Sequence, residues 1–178
     1  KMLEKILENP DANREDAEET PRVVGLSALK YGDLSNQTSK DYIFDIDRFT
    51  SSEGNTGPYI LYTIVRMKSI LRKYEEAGKS VEDGAIGPAR SESEKALMLS
   101  ITLFNAVLWN AAEEKAPHKI CAFIYELCNA FNRFYHETKI LAEPEETVQK
   151  SYIRLLVLTK GILELCIDLL GFQAPEHM

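Results

Sequence analysis

Along most of the chain, apolar residues recur every three or four positions, the spacing that lays one face of an α-helix against a core. The longest stripe runs through Val148, Tyr152, Leu155, Leu156, Thr159, Leu163, Cys166 and Leu170. Pro144 opens it, and Gly171 ends it as a C-cap residue. A second stripe, opened by Pro117, runs through Ile120, Phe123, Ile124, Leu127, Phe131, Phe134 and Tyr135. Two shorter helices are predicted over residues 91–101 and 103–112, the first with Ser91 and Glu94 as a capping box. Upstream, Gly54-Asn55-Thr56-Gly57-Pro58 forms a tight, permissive loop that opens a helix through Tyr59, Tyr62, Ile64, Val65, Ile70 and Leu71, as far as Ala77-Gly78. Residues 78–90, with Gly78, Gly84, Gly87 and Pro88, read as the clearest loop.

The first third is less regular. Residues 1–8 read as a short amphipathic helix ended near Asn9-Pro10, followed by a polar, charged stretch over residues 11–19. Thr20-Pro21 predicts a helix start, Thr as N-cap and Pro at the first helical position. Val23, Val24, Ala28, Leu29 and Tyr31 continue that helix to about Leu34, with a turn over residues 35–39. Residues 41–45 alternate with period two, which predicts a short strand or extended segment. The expected fold class is all-α: a helical bundle behind a short, mostly helical lead-in, with no internal repeat, heptad array or low-complexity tract.

At 178 residues and 44% hydrophobic content, the chain can bury a sizeable core. No uninterrupted apolar run reaches the ~18 residues a membrane span needs, so no membrane partner is expected. The start, Lys1-Met2-Leu3-Glu4, lacks a signal peptide and an initiator Met, as a fragment of a longer protein would. Three cysteines argue against a disulfide framework and for reduced core thiols in a cytoplasmic protein. His118 sits one turn before Cys121, but structural zinc wants four closely spaced ligands, so no metal is expected.

Nothing in the residues suggests catalysis. There is no phosphate-cradling glycine loop and no nucleophile elbow, and His118, His136 and His177 are scattered. The acidic pairs Glu75-Glu76, Glu113-Glu114 and Glu145-Glu146 read as solvated helix faces. One constellation has functional colour. Tyr59, Tyr62 and Arg66 fall at i, i+3 and i+7 on one helix face, with Arg72 and Lys73 extending its polar side. Tyrosine faces and arginine planes stack on unpaired RNA bases, and cations hold phosphates. Tyrosines at this spacing also serve as half-buried packing residues, and Phe131, Phe134 and Tyr135 as core aromatics. A net charge of −7 permits RNA binding only through a local patch, such as Arg66, Lys68, Arg72 and Lys73.

Four stretches resemble the arginyl-tRNA synthetase family. Val24-Gly25-Leu26-Ser27-Ala28-Leu29-Lys30-Tyr31-Gly32-Asp33-Leu34 is similar to the segment after that family's catalytic domain, continued by Asp41-Tyr42-Ile43-Phe44-Asp45-Ile46-Asp47-Arg48. Glu53-Gly54-Asn55-Thr56-Gly57-Pro58-Tyr59-Ile60-Leu61-Tyr62, with Arg66, matches its most specific C-terminal signature. Asn132-Arg133-Phe134-Tyr135, Arg154-Leu155 through Gly171-Phe172, and the closing Pro175-Glu176-His177-Met178 complete it, so the resemblance covers about residues 20–178 in family order.

The resemblance implies a class I synthetase's helical anticodon-binding domain of the DALR type. It divides the chain into residues 1–53, the end of the catalytic domain and a connecting segment, and residues 54–178, the anticodon-binding domain. It places Tyr59, Tyr62, Arg66 and Arg72 toward the anticodon loop of tRNA(Arg), Tyr135 stacked on an anticodon base, and Met178 against the same loop. The family reads a cytosine at the middle anticodon position. The His-Ile-Gly-His-like and Lys-Met-Ser-Lys-Ser-like signatures of the catalytic domain are absent. ATP with Mg, arginine and the charging reaction therefore belong to a parent enzyme. The chain is expected to bind tRNA without charging it, with the parent's catalytic domain as its other partner, and DNA is not an expected partner. A helical protein-interaction module without an RNA role is the alternative. The glycine-rich signature separates the chain from the cysteinyl enzyme's anticodon domain, and no constellation supports a small helical hydrolase.

Overall fold

The computed structural model describes residues 19–178; the helix expected over residues 1–8 and most of the polar stretch after it lie outside the described residues. Seven α-helices are described: α1 Glu19–Leu34, α2 Ile46–Phe49, α3 Gly57–Glu76, α4 Glu92–Thr102, α5 Phe104–Glu113, α6 Pro117–Glu137 and α7 Glu146–Leu169, with a 3₁₀ turn at Ile140–Ala142. No strand is present among the described residues.

The core sits where α3, α6 and α7 meet. Ile60, Leu61, Ile64 and Met67 of α3, Ile124, Leu127, Phe131 and Phe134 of α6, and Ile153, Leu156 and Leu163 of α7 are all fully buried. Burying each such side chain contributes about 1.5–3 kcal/mol. The lead-in helix joins this core rather than standing apart from it. Val24 and Tyr31 of α1 are buried, and the Tyr31 hydroxyl lies 2.6 Å from Asn55 Oδ1 and 2.9 Å from the Cys121 carbonyl. One phenol thus ties α1, the glycine-rich loop and α6 together.

Local chemistry sets the helix ends. Thr56 caps α3, its hydroxyl accepting from the Tyr59 amide, with Pro58 in the first turn. Ser91 caps α4 by accepting from the Glu94 amide at 3.1 Å. The Glu94 carboxylate does not return the bond to Ser91; it accepts from the amide of Arg90 at 2.7 Å. The capping box is therefore displaced by one residue. At the end of α7, Gly171 takes φ +80°. Its amide bonds Asp168 O and that of Phe172 bonds Ile167 O, the paired closure of a Schellman motif over the buried Phe172 ring.

Several expectations are corrected. Thr20 lies within α1 instead of capping it. Leu29 is 52% exposed, and Ser27 and Gly32 join Val24, Ala28 and Tyr31 on the buried face. Of the strand or extended segment expected over residues 41–45, no strand pairing occurs among the described residues, and Asp45, extended at φ −118° and ψ 107°, caps α2. The last helix starts after Glu145 rather than at Pro144. The loop over residues 78–90 is pinned to α7: Gly87 N donates to Ser151 Oγ, Arg154 to Val81 O, and Arg90 bidentately to Glu145.

The span Glu92–Glu113 is long and apolar enough by length and composition to cross a membrane, although its apolar residues are broken into short runs such as Ala96–Leu99. In the fold it bends at Leu103 into α4 and α5, which pack on α6 and leave Leu99, Leu103 and Trp109 exposed.

Candidate nucleic-acid interface

Two clusters form along α3. The first lies where α3 crosses the second half of α6. The Arg66 guanidinium carbon sits 4.8 Å from the ring centre of Tyr62 and 5.2 Å from that of Tyr135. These are cation–π distances. Arg66 Nη1 donates to Asn132 Oδ1 at 2.8 Å. A guanidinium only donates, so the Asn132 oxygen must face it and the amide nitrogen must face the other way. That nitrogen donates to the Tyr59 hydroxyl at 2.9 Å and to Thr63 Oγ1 at 3.3 Å. The Tyr59 hydroxyl donates in turn to Asn129 Oδ1 at 2.7 Å.

Exposure sorts the aromatics. Tyr62 is exposed at 44%, Tyr135 is half-buried, and Phe131 and Phe134 are fully buried. The Tyr135 ring lies 6.1 Å from that of Phe131, centre to centre, with 26° between their planes. Tyr59 is half-buried with its ring 5.8 Å from that of Tyr125. Burial raises the Tyr59 pKa above its ordinary value, the bond from Asn132 opposing it, so the phenol stays neutral at physiological pH. Tyr62 and Tyr135 offer ring surface, Arg66 offers charge, and Tyr59 holds the framework behind them.

Arg72 and Met178 belong to the second cluster. Arg66 and Arg72 are six residues apart, which at about 100° per residue puts them roughly 120° apart around the helix. Arg72 Nη1 is 3.2 Å from His177 Nδ1, and its Nε is 3.8 Å from Glu76. One turn earlier, Lys68 Nζ reaches the carbonyls of Ala174 and Pro175, both at 3.4 Å, and the carboxylates of Glu176 and Glu164. Lys68 holds the Glu176 carboxyl below its usual range. The tail is thereby laid along α3, with Met178 half-buried against the core.

The basic patch expected from Arg66, Lys68, Arg72 and Lys73 is thus divided: Lys68 is engaged by two carboxylates, whereas Arg66 forms no ion pair among the described residues. Asn129, Thr63 and the Lys68 clasp escaped the sequence reading. The only trace of the first two is polarity at positions of α3 and α6 that face another helix.

Elsewhere the chemistry is quiet. No group of three or more His, Cys, Asp or Glu side chains suited to a metal occurs among the described residues. Burial pushes the Cys121 and Cys166 thiols up to about 12 and Cys128 further still, so all three are inert as nucleophiles.

Comparison with known proteins supplies the remaining evidence. The DALR anticodon binding domain pattern matches residues 60–178. An arginine–tRNA ligase of Agathobacter rectalis is 63% identical over 185 residues, covering 99% of this chain and 31% of that protein. One of Alkaliphilus oremlandii is 51% identical over 177 residues, covering 99% of this chain and 30% of that protein. Among solved structures, the Thermus thermophilus arginyl-tRNA synthetase superposes at a TM-score of 0.86 with 30% identity, over 99% of this chain and 32% of that one. The Plasmodium falciparum arginyl-tRNA synthetase gives 0.79 with 30% identity, over 99% and 30%. The chain spans about a third of the length of the curated relatives it matches. With the pattern running through α3 to the tail, the chain belongs to the DALR anticodon binding domain family, in the form carried by arginyl-tRNA synthetases.

Proposed function

We propose that this chain is the anticodon-binding C-terminal part of an arginyl-tRNA synthetase and that it grips the anticodon loop of tRNA(Arg). The observation that carries this reading is the Tyr62–Arg66–Tyr135 cluster: a cation with no ion pair among the described residues, flanked by an exposed and a half-buried aromatic ring. Single-stranded RNA is held by that combination of stacking surface and charge. A base unstacked from the loop packs on Tyr135 and Tyr62, and Arg66 holds a phosphate or a base edge. Arg72 of α3 and Met178, brought up by the tail, extend the surface, and Tyr59 supports it from behind.

Residues 54–178 carry this surface, and residues 1–53 lead in from the catalytic part of the same enzyme, which is the chain's second partner. The attachment of arginine to tRNA, with its ATP and Mg, is carried out by that catalytic part in the cytoplasm. The present chain has no catalytic signature and charges no tRNA alone. DNA and membranes are not partners in this reading.

Photocrosslinking of a 4-thiouridine-substituted anticodon stem-loop, followed by peptide mapping, tests it. Crosslinks within α3, the second half of α6 and the tail are expected; crosslinks confined to α4 and α5 would contradict it.

A further inference from the structure

We propose that Asn132 is a positioning residue that fixes the Arg66 guanidinium in its RNA-binding orientation without neutralising it, an inference that rests on the anticodon-loop reading above. The hydrogen-bond pattern assigns the role. Among the described residues, Asn132 is the only side chain hydrogen-bonded to Arg66: its oxygen accepts from Arg66, and its nitrogen donates to both Tyr59 and Thr63. Those two partners are anchored in their turn, Tyr59 to Asn129 and Thr63 to the Tyr59 carbonyl one turn back. The amide is therefore held at both ends before it meets the arginine.

An arginine on a helix surface has several rotatable bonds and a planar head with five donors. The rings of Tyr62 and Tyr135 restrict where the plane lies, but a cation–π contact does not set rotation within it. The Asn132 bond does. It occupies one N–H and leaves the others free for an acceptor on the RNA.

The chemical identity of the acceptor matters. A carboxylate in the same place would bind the guanidinium more tightly and cancel its charge, and it would lack the two donors that Tyr59 and Thr63 receive. A neutral amide holds the cation and leaves its field available to phosphate. In a chain with a net charge of −7, that economy of neutralisation is concentrated at Arg66, whereas Lys68 nearby is engaged by Glu164 and Glu176.

A double-mutant cycle on the whole chain, read by fluorescence anisotropy with a tRNA(Arg) anticodon stem-loop across a salt series, tests the proposal. The variants are Asn132→Ala, Asn132→Asp, Arg66→Ala and the double Asn132→Ala/Arg66→Ala. Asn132→Ala is expected to weaken binding roughly tenfold and to lower the slope of log affinity against log salt by up to about one unit. In the Arg66→Ala background it should have little further effect. Asn132→Asp, close to isosteric, should also weaken binding and flatten the salt slope, and it carries the test if the alanine variant loses native circular dichroism. A loss from Asn132→Ala that is equally large with and without Arg66, or an unchanged salt slope in both folded variants, overturns the positioning role alone. A wild-type chain that binds no stem-loop overturns the anticodon reading, and this inference with it.

Discussion

Phe131 and Phe134 of α6 are fully buried, whereas Tyr135 beside them is half-buried, its ring centre 5.2 Å from the Arg66 guanidinium carbon. Its removal should cost binding more than folding. Tyr135→Ala is expected to weaken stem-loop affinity by about 1–3 kcal/mol, the range for one base–aromatic stack, while Tyr135→Phe stays close to wild type. Equal affinity of a folded Tyr135→Ala variant would remove the stacking role. The thiols make the opposite kind of prediction. Cys121, Cys128 and Cys166 are buried and raised well above an ordinary thiol. A disulfide reagent at pH 8 should find none of them in the native chain and all three in denaturant; fast labelling of the native chain would show that the α6–α7 contact opens freely.

At the scale of elements, the α1–α3 contact is decided by one glycine. A Cβ on Gly57 would stand 2.4 Å from the Ser27 carbonyl oxygen and 2.6 Å from its carbon, so two backbones pass where no side chain fits. Gly57→Ala should destabilise the chain by about 1–3 kcal/mol or more, measured by urea unfolding. An unchanged midpoint would mean that α1 does not pack on α3 as described. The tail clasp has a pH signature. The Glu176 carboxyl is lowered from 4.5 by Lys68, so its contribution is complete above 4.5 and is lost as pH falls through the lower folded value. Resonances of residues 174–176 should keep the pattern of a bound tail while pH stays above the ordinary glutamate range and move toward those of a free tail as pH falls below it. A tail that is already free at pH 7 would contradict the clasp.

These elements also show what can be read from a linear chain. The stripes of α6 and α7 were legible because every position from Ile120 to Phe134, and from Val148 to Leu170, that recurs at helical spacing turns inward. Gly57 was legible as a glycine, but not as a backbone crossing, because its neighbour Ser27 is thirty positions away. Period-two alternation over residues 41–45 left a strand and an extended segment open; the segment is not paired as a strand, and Asp45 at its end is extended. The candidate site was half legible: Tyr59, Tyr62 and Arg66 announced one helix face. The bonds of Tyr59 and Arg66 to Asn132 on another helix, and the engagement of Arg72 with His177, depend on how α3 crosses α6 and how the tail returns.

At the scale of the whole molecule, the tension lies between an acidic chain and an anionic partner. A net charge of −7 repels RNA at long range, so attraction has to come from cations that remain unpaired where the rings are exposed. The two-thirds of length that the arginine ligases have beyond this chain would add their own contacts, and the isolated chain should bind weakly by comparison, because linked sites gain from effective concentration. The most direct measurement is anisotropy of a labelled tRNA(Arg) anticodon stem-loop at two salt concentrations, beside a stem-loop whose middle anticodon base is changed. Binding that falls with salt and falls again with the altered base is the predicted result. Equal binding of the two stem-loops, or none at either salt, would contradict anticodon recognition by this chain.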